Sequence, residues 1–352
     1  MGAKMGIAAR GAGAKDAEAV MDGDGAIALP ARQIPIPQSI SPAAQDFLRS
    51  QSAPRRRYPA PRDLAGWRSL INSYDRTFAE IMAPKLRAIG VPVERTTING
   101  VSVHVGSPPQ DPGQAAAWVN LSLHGGALVF SGGELVATDA AMAVHRTGCR
   151  SFAVDYRMPP DHPFPAGLED CIAVYRGLLE RYAPGEIVVS GRSAGGNLAA
   201  AMTLRVRALG LPPPGAVILL TPELDLSESG DSFQTLQGID VVLKSGLPEA
   251  NALYAQGHDL RDPAVSPLFG DFTKGFPPTL IQSGTRDLFL SNAVRMHRAL
   301  RAVGMEAELH VWEAMPHGDF GGFTREDKEI WAEVRSFLAR HRAGGSREHN
   351  SK

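Results

Sequence analysis

A glycine-flanked serine between two different apolar patterns constrains the fold of this chain most strongly. Ser193 stands in the run Gly191-Arg192-Ser193-Ala194-Gly195. An apolar run at 187–189 precedes it, and a helix-like run at 197–202 follows it. This order predicts a strand, a sharp turn and a helix, which is the setting that exposes the serine of a G-x-S-x-G pattern as a nucleophile. The two glycines favour the turn, because a side chain at either place would crowd it.

The five-residue pattern alone is also compatible with an ordinary surface turn, since glycine and serine are common residues. Acyl transfer by a serine requires three more parts: a base, a group that orients the base, and donors for the oxyanion. A catalytic interpretation of Ser193 therefore depends on candidates for these three parts elsewhere in the chain.

The composition describes a globular chain without a basic surface. The chain has 352 residues, of which 43% are hydrophobic and 21% are charged, enough for one large domain or one domain with a lid. The formal net charge is −1, so we expect no nucleic-acid partner. Cys149 and Cys171 both lie in apolar stretches without metal-type spacing. They are predicted to be buried free thiols, and we expect no metal site.

The two ends of the chain carry no pattern of a packed element. Residues 1–40 are rich in small residues and prolines and are predicted to be a mobile leader. Acidic residues interrupt any signal-peptide core there, and no stretch of 18 apolar residues exists, so we expect a cytoplasmic protein without a membrane span. Residues 343–352 are predicted to be a disordered tail.

Between these ends, helical spacing gives way to alternating β-like and helical runs. Apolar residues recur at helical spacing over 41–90, which predicts N-terminal cap helices that end at Gly90. Eight β-like runs follow within 91–342, and Asn99-Gly100 joins the first two as a hairpin. These runs are 95–98, 101–105, 118–123, 151–154, 187–189, 216–220, 279–281 and 308–312. The pattern predicts an α/β domain with a mostly parallel eight-stranded sheet flanked by helices.

A long insertion interrupts the alternation of strands and helices at about 227–258. Its helical spacing at Leu236, at 241–243 and at 253–254 predicts a lid element rather than a plain loop. We expect it to form a discontinuous helical cap with the segment 41–90. Apolar groups such as Trp67, Phe130, Leu236 and Val242 are candidates for the cap or the substrate pocket, although core packing is the favoured role for each.

Asp287 and His317 are the candidates for the acid and the base. Asp287 follows the strand candidate 279–281, and His317 follows the next one. Polar groups just beyond the carboxyl ends of strands collect at the ligand-binding edge of an α/β sheet. The order Ser193, Asp287, His317 is the order of nucleophile, acid and base that accompanies a G-x-S-x-G turn. In this hypothesis His317 takes the serine proton and Asp287 holds the imidazole tautomer.

The run Leu123-His124-Gly125-Gly126-Ala127 supplies candidate donors for the oxyanion. A Gly-Gly turn after a buried strand lets backbone N–H groups point into a site. We expect the N–H groups of Gly126 and Ala127, with Gly125 as a further candidate, to join that of Ala194. His124 is then expected to brace this loop rather than to act as a base.

Four motifs in order resemble the hormone-sensitive-lipase-like branch, bacterial family IV, of the α/β-hydrolases. They are His124-Gly125-Gly126-Ala127, the segment from Asp155-Tyr156-Arg157 to Pro163-Phe164-Pro165, Gly191-Arg192-Ser193-Ala194-Gly195-Gly196-Asn197, and Asp287 with His317. The resemblance covers roughly residues 60–342. It implies an α/β-hydrolase fold with a helical cap and a carboxylesterase without a cofactor. It also implies that Asp155 and Arg157 support the active-site loops.

Three positions depart from the pattern of that family. Ala127 replaces a third glycine, which matters little if its backbone angles suit an L-residue, since the donor is its N–H group. Ser291 stands where one branch of the family has a second acid. Arg192 occupies a position where Asp or Thr is usual, and we expect Glu223 or Glu313 to pair with its guanidinium. A solvated Arg192 is the alternative.

The sequence favours hydrolysis of a carboxylic ester with a short to medium acyl chain as the function. A lactone, amide or carbamate hydrolase that uses the same triad is one alternative. A ligand-binding receptor on the same scaffold is another, although it would normally lack a member of the triad. The expected partner is a small-molecule ester, and a homodimer through the last strand and helix is possible.

Overall fold

The computed structural model describes residues 19–51, 56–109 and 118–344. Its first unit ends at Ile36, and there β1 (Val20–Met21) pairs with β2 (Ile27–Ala28) as a small antiparallel hairpin. The sequence patterns assigned no element to this part of the expected leader. Residues 1–18 of that leader and residues 345–352 of the expected tail lie outside the described residues.

An eight-stranded sheet forms the centre of the second unit, residues 37–352. Its strands are β3 (Val93–Ile98), β4 (Val101–Gly106), β5 (Val119–Leu123), β6 (Arg150–Val154), β7 (Ile187–Arg192), β8 (Ala216–Leu220), β9 (Thr279–Gly284) and β10 (Ala307–Trp312). Their spatial order is β10-β9-β8-β7-β5-β6-β4-β3. The neighbouring strands are parallel in the part of the sheet that runs β10-β9-β8-β7-β5-β6. Strand β4 runs antiparallel to both of its neighbours, β3 and β6. The predicted mostly parallel sheet of eight strands is confirmed.

The helices lie between the strands, as the alternating pattern predicted. They are α1 (Pro42–Ser50), α2 (Leu64–Ile89), α3 (Leu135–Thr147), α4 (Ala166–Leu179), α5 (Ala194–Ala208), α6 (Ser232–Thr235), α7 (Pro248–Ala255), α8 (Leu290–Ala302) and α9 (Arg325–Gly344). Among the described helices none is long and apolar enough to cross a membrane. The long helix α2 begins where the Asp63 side chain accepts the N–H of Gly66 and ends at Gly90, whose φ of 64° is left-handed.

Burial of the central strands explains why they read as continuous apolar runs. Every residue of β5 and β8 is buried, which requires cover on both faces of the sheet. Helices α4 and α5 pack together, and so do α3 and α9. The thiols of Cys149 and Cys171 are both buried and free, as predicted. The carboxyl ends of the parallel strands therefore share one edge of this covered sheet.

Besides the hydrophobic core around the sheet, a second hydrophobic cluster joins segments that are far apart in sequence. It contains Trp67 of α2, Phe130 of the loop after β5, Phe233 of α6, Leu253 of α7 and Phe289 before α8. Aromatic rings connect them, since Tyr58 stacks on Trp67 with 5.8 Å between centroids. The cluster thus ties the segment around α2 and the insertion at 227–258 to the loops that follow β5 and β9.

Two details of the insertion and its apolar groups differ from the sequence expectations. Residues 241–243 form a turn rather than a helix, because the Asp240 side chain accepts the N–H groups of Val242 and Leu243. Trp67 and Phe130 are buried as expected of core residues, whereas Val242 is 45% exposed. The apolar character of Val242 therefore does not reflect core packing.

Candidate active site

Ser193 occupies a sharp turn between β7 and α5. Its φ of 56° and ψ of −123° lie in a region that L-residues rarely adopt, at a cost of about 1–3 kcal/mol. A Cβ atom at Gly191 would collide with the carbonyl of Gly195, and one at Gly195 would collide with the carbonyl of Leu123. Only glycine fits at either position, so this local sequence forces the turn that presents the Ser193 hydroxyl.

The structure brings Ser193, His317 and Asp287 into one hydrogen-bonded line. His317 Nε2 lies 2.8 Å from Ser193 Oγ, and His317 Nδ1 lies 3.0 Å from Asp287 Oδ1. All three side chains are at most 9% exposed. Both distances are within hydrogen-bond range, so the three residues have the geometry of a Ser-His-Asp triad without rearrangement.

Asp287 is held in place by donors on both carboxylate oxygens. Ser283 Oγ donates to Oδ2 at 2.7 Å, and the N–H of Phe289 donates to Oδ1 at 3.0 Å. The ring of Phe289 packs edge-on against the His317 imidazole with 4.8 Å between centroids. The acid and the base are therefore oriented by neighbours that have fixed positions of their own.

Asp240 is a buried carboxylate next to the triad that sequence patterns did not reveal. Its oxygens accept backbone N–H groups of His317 at 3.2 and 3.3 Å, of Leu288 at 2.9 Å, and of Val242 and Leu243. Burial raises the pKa of Asp240 to about 6, although the nearby His317 opposes this. No local motif marks Asp240, because its partners come from three separate segments.

Asp240, Asp287 and His317 offer ligand atoms within 4.8 Å of one another, a spacing that could hold a cation. The oxygens of Asp240 already accept backbone N–H groups, and those of Asp287 accept Ser283, Phe289 and His317. These donors occupy the lone pairs that a metal would need. The geometry of the cluster fits a hydrogen-bonded triad with a supporting acid.

The loop after β5 presents backbone donors beside Ser193. The N–H groups of Gly125, Gly126, Ala127 and Ala194 have no hydrogen-bond acceptor among the described residues. Ala127 has a φ of 52°, a left-handed conformation that a small L-residue tolerates. The carbonyl of Gly126 accepts the N–H groups of Val129 and Phe130 at 3.0 and 2.8 Å, which closes the loop. These free N–H groups can therefore bind an oxyanion.

His124 sits behind that loop in a position that stabilises it. Its ring stacks on Tyr156 with 4.1 Å between centroids, and Tyr156 donates to the His124 carbonyl at 2.7 Å. His124 Nδ1 lies 2.8 Å from the Gly125 carbonyl oxygen. Burial lowers the pKa of His124, so its imidazole is neutral at neutral pH.

Asp155 and Arg157 contact the loops that flank the site. Asp155 Oδ1 accepts the N–H of Gly133 at 2.8 Å, just beyond the loop after β5. Arg157 forms a bidentate pair with Asp170 at the start of α4, with a closest contact of 2.9 Å. Asp170 also raises the pKa of Arg157 through this hydrogen bond. Ser291, which stands at the position of a second acid, instead exchanges hydrogen bonds with Ser232.

The expected ion pair of Arg192 is absent from the described part of the chain. Neither Glu223 nor Glu313 lies within 4.0 Å of its guanidinium, and its Nε is buried without a partner. The side chain turns toward Gly318 and lines a cavity of about 10 Å³ with Asp139 and Arg146. That volume is about the space of one water molecule.

Comparisons with known proteins show which proteins the chain is similar to. The family described as having the α/β-hydrolase fold matches residues 120–320. The chain is 34% identical over 199 residues to an acetyl-hydrolase of Streptomyces hygroscopicus, covering 56% of this chain and 66% of that protein, just under two thirds of its length. A crystal structure of an esterase superposes with a TM-score of 0.83 at 35% identity, covering 89% of this chain and 98% of that one.

A further solved structure identifies the branch of the family. It is an esterase from the bacterial hormone-sensitive lipase family, which superposes with a TM-score of 0.68 at 30% identity. That match covers 86% of this chain and 99% of the other. The sheet order, the glycine-flanked serine and the free N–H groups of the loop after β5 are thus found in a chain that matches these proteins over most of its length. The chain belongs to the α/β-hydrolase fold family and, within it, to the hormone-sensitive-lipase-like branch of carboxylic ester hydrolases.

Proposed function

We propose that the protein hydrolyses carboxylic esters of short to medium acyl chain through an acyl-enzyme on Ser193. The hydrogen-bonded line from Ser193 through His317 to Asp287, with distances of 2.8 and 3.0 Å, carries this proposal. The esterase and acetyl-hydrolase names of its relatives give the same reaction class. A small-molecule ester is therefore the proposed partner of this site.

The site contains a catalytic group for each step of the proposed reaction. His317 Nε2 takes the proton of Ser193 as Oγ bonds to the ester carbon, and the carbonyl electrons move to oxygen. The N–H groups of Gly126, Ala127 and Ala194 bind this oxyanion, with Gly125 as a further donor. When the carbon–oxygen bond to the alcohol breaks, His317 gives its proton to the leaving oxygen. Water repeats the sequence on the acyl-enzyme, and Asp287 stabilises the imidazolium in both halves.

The segments 41–90 and about 227–258 form the cap in this proposal. The second hydrophobic cluster supports it, because Trp67 and Leu253 of these segments pack with Phe130 and Phe289 beside the triad. We infer that a cap held this closely limits the room above Ser193. Acyl chains that are short or medium in length therefore fit better than the long chains of triglycerides.

A p-nitrophenyl ester series on the wild type and on Ser193→Ala tests the proposal. We expect the wild type to turn over acetate and butyrate esters and Ser193→Ala to lose nearly all of this activity. Covalent labelling by an organophosphonate should occur in the wild type and fail in the variant. Absence of labelling in the wild type would instead favour a ligand-binding receptor. A preference for lactone, amide or carbamate substrates in parallel assays would reassign the reaction on the same triad.

We further propose a homodimer formed through β10 and α9, and a cytoplasmic location. Among the described strands β10 pairs only with β9, so its other edge is open for pairing with a second copy. The free thiols of Cys149 and Cys171 are compatible with a reducing compartment. Light scattering that shows a monomer at assay concentration would exclude the dimer, and cell fractionation would test the location.

A further inference from the structure

Glu223 is a buried acid beside the nucleophile. It follows β8 by three residues, at the same carboxyl edge of the sheet as Ser193. Its N–H donates to the carbonyl oxygen of Ser193 at 3.1 Å. Only 1% of the residue is exposed. The Glu223 backbone is therefore fixed within one hydrogen bond of the turn that presents the reacting hydroxyl.

Neither oxygen of the Glu223 carboxyl has a hydrogen-bond partner among the described residues. Burial raises its pKa to about 8, and the charge of Glu228 adds to this effect. The group is therefore neutral at pH 7 and offers one O–H donor as well as acceptor lone pairs. A buried polar group without a partner destabilises the folded state, so a contribution to stability does not explain Glu223.

Other buried carboxylates in this part of the fold have hydrogen-bond donors on their oxygens, as expected of acids with a structural role. Asp225, two residues further on, accepts Ser227 and Ser229 and forms an ion pair with Arg295 at 2.7 Å. Asp240 and Asp287 likewise have donors on both oxygens. Glu223 differs from all three, because neither of its carboxyl oxygens has a donor among the described residues.

A second polar atom without a partner lies within electrostatic range of Glu223. The hydroxyl of Tyr254 on α7 is buried and has no hydrogen-bond partner in the described part of the chain. Burial raises the pKa of Tyr254, and the charge of Glu223 contributes to this rise. Burial also raises the pKa of Tyr58 to about 12, and Glu223 again contributes. The carboxyl is thus near both α7 and the aromatic rings that pack on Phe130 beside the oxyanion loop.

We propose that Glu223 and Tyr254 form a polar subsite that determines substrate specificity by binding a hydroxyl group of the ester. A hydroxyl both donates and accepts, as do a protonated carboxyl and a phenol, so the three groups satisfy one another. An ammonium group has only donors, so it could not accept the O–H groups of a protonated carboxyl and a phenol. The proposal rests on ester hydrolysis at Ser193 and names the class of ester, one with a hydroxyl near the scissile bond.

Pairs of substrates that differ only by hydroxyl and methyl test this subsite. On the acyl side the pair is p-nitrophenyl 3-hydroxybutyrate and p-nitrophenyl 3-methylbutyrate. On the alcohol side it is 2-hydroxyethyl acetate and propyl acetate. The kcat/KM ratio within each pair is measured for the wild type, Glu223→Leu, Glu223→Gln and Tyr254→Phe. Comparing the ratio between variants cancels the different intrinsic reactivities of the esters.

We expect Glu223→Leu to lower the hydroxyl-to-methyl ratio about tenfold or more in one of the two pairs. Glu223→Gln, which keeps a donor and an acceptor, should retain most of the preference, and Tyr254→Phe should lose part of it. Glu249→Leu is the matched control, because it removes a half-buried carboxyl that also lies near Tyr58 and should leave the ratio unchanged.

Two results would overturn the subsite. One is an equal loss on both members of each pair in Glu223→Leu, which is the signature of a structural role. The other is a wild-type preference for p-nitrophenyl 3-aminobutyrate over the hydroxy ester, which would make the subsite cationic in specificity. Turnover of p-nitrophenyl acetate tests the proposed ester hydrolysis separately from the proposed subsite. If the wild type hydrolyses this ester, ester hydrolysis is supported even when the subsite is not.

Discussion

At the scale of single residues, Asp240 connects the three segments that carry or support the acid and the base. Its two oxygens accept N–H groups from its own turn, from Leu288 next to Asp287, and from His317 itself. It acts on the reaction through these backbones rather than by contact with the ester. Asp240 is therefore a positioning residue, and its replacement should affect geometry more than charge.

We predict that Asp240→Asn lowers the free energy of unfolding by about 1–3 kcal/mol and lowers kcat as well. The amide nitrogen of asparagine would face N–H donors and leave at least one of them without an acceptor. Thermal denaturation and p-nitrophenyl acetate kinetics measure the two effects. Asp231→Asn, at an exposed position, is the control and should change neither. Unaltered kcat in a destabilised Asp240→Asn would limit Asp240 to a structural role.

Asp287→Asn tests the acid of the triad directly. Asparagine can present its N–H to His317 Nδ1 and so stabilise the wrong tautomer, and kcat should fall by roughly 10²–10⁴-fold. Ser291→Ala, four residues away at the position of a second acid, removes the hydrogen bond to Ser232 and should leave kcat near that of the wild type. Equal losses of kcat in both variants would indicate a general disturbance of this loop instead.

Glu223 gives the stability of the protein a defined dependence on pH. Because its pKa in the folded state is about 8 against an ordinary 4.5, folding favours the protonated form. Its contribution to stability is complete below pH 4.5 and is lost as the pH rises through 8. The Tm of the wild type relative to Glu223→Gln should therefore fall between about pH 5 and about pH 9. A constant difference in Tm across this range would mean that Glu223 does not titrate as described.

The site residues that sequence patterns predicted are marked by nearby residues in the chain, whereas the residues that were missed are not. Ser193 is marked by its own turn, while Asp287 and His317 are marked by their places after successive strands. Asp240 and Glu223 have no such mark, because their environments form only when distant segments pack. The expected partner of Arg192 was wrong for the same reason, because Arg192 lies near Gly318, Asp139 and Arg146, which are distant in sequence.

At the scale of elements, the cap depends on aromatic packing. Trp67 is fully buried and lies between Tyr58 and Phe130 at centroid distances of 5.8 and 6.5 Å. We predict that Trp67→Ala lowers the free energy of unfolding by about 3–5 kcal/mol. It should also shift the chain-length profile of p-nitrophenyl esters toward longer acyl groups, because the wall of the proposed cap is lost.

A matched variant separates the two effects of Trp67→Ala. Trp331 is equally large and 2% exposed, but it lies in α9 against Arg146, away from the second hydrophobic cluster. Trp331→Ala should cost similar stability and leave the chain-length profile unchanged. The same shift of the profile in both variants would show that stability alone, rather than the cap, controls the choice of acyl chain.

Strands and long helices were predictable because each repeats one spacing over many residues. The eight strands lie within a few residues of their predicted positions, and α2 ends at Gly90 as expected. The insertion was less predictable. Its apolar spacing at 241–243 favoured a helix, but one carboxylate that accepts two successive N–H groups stabilises a turn instead.

At the scale of the whole molecule, the sheet order brings together groups that are distant in the chain. Strand β7 lies between β5 and β8, so the loop after β5 and Glu223 flank Ser193 on opposite sides. His317 follows β10 at the edge of the sheet and reaches Ser193 across the ends of β8 and β9. The order of the motifs along the sequence predicted that these groups lie close together, because parallel strands bring their carboxyl ends to one edge of the sheet.

The complete burial of β5 and β8 has a practical consequence for redesign. Changes inside these strands would disrupt packing on two faces at once, so libraries aimed at new substrates gain little there. The short stretches just past the strand ends, at 127–130 and 221–223, are also buried, but they lie beside the nucleophile, so substitutions there change the chemistry of the site directly. Selection experiments on this enzyme should concentrate their diversity at those stretches and at the rings around Tyr58.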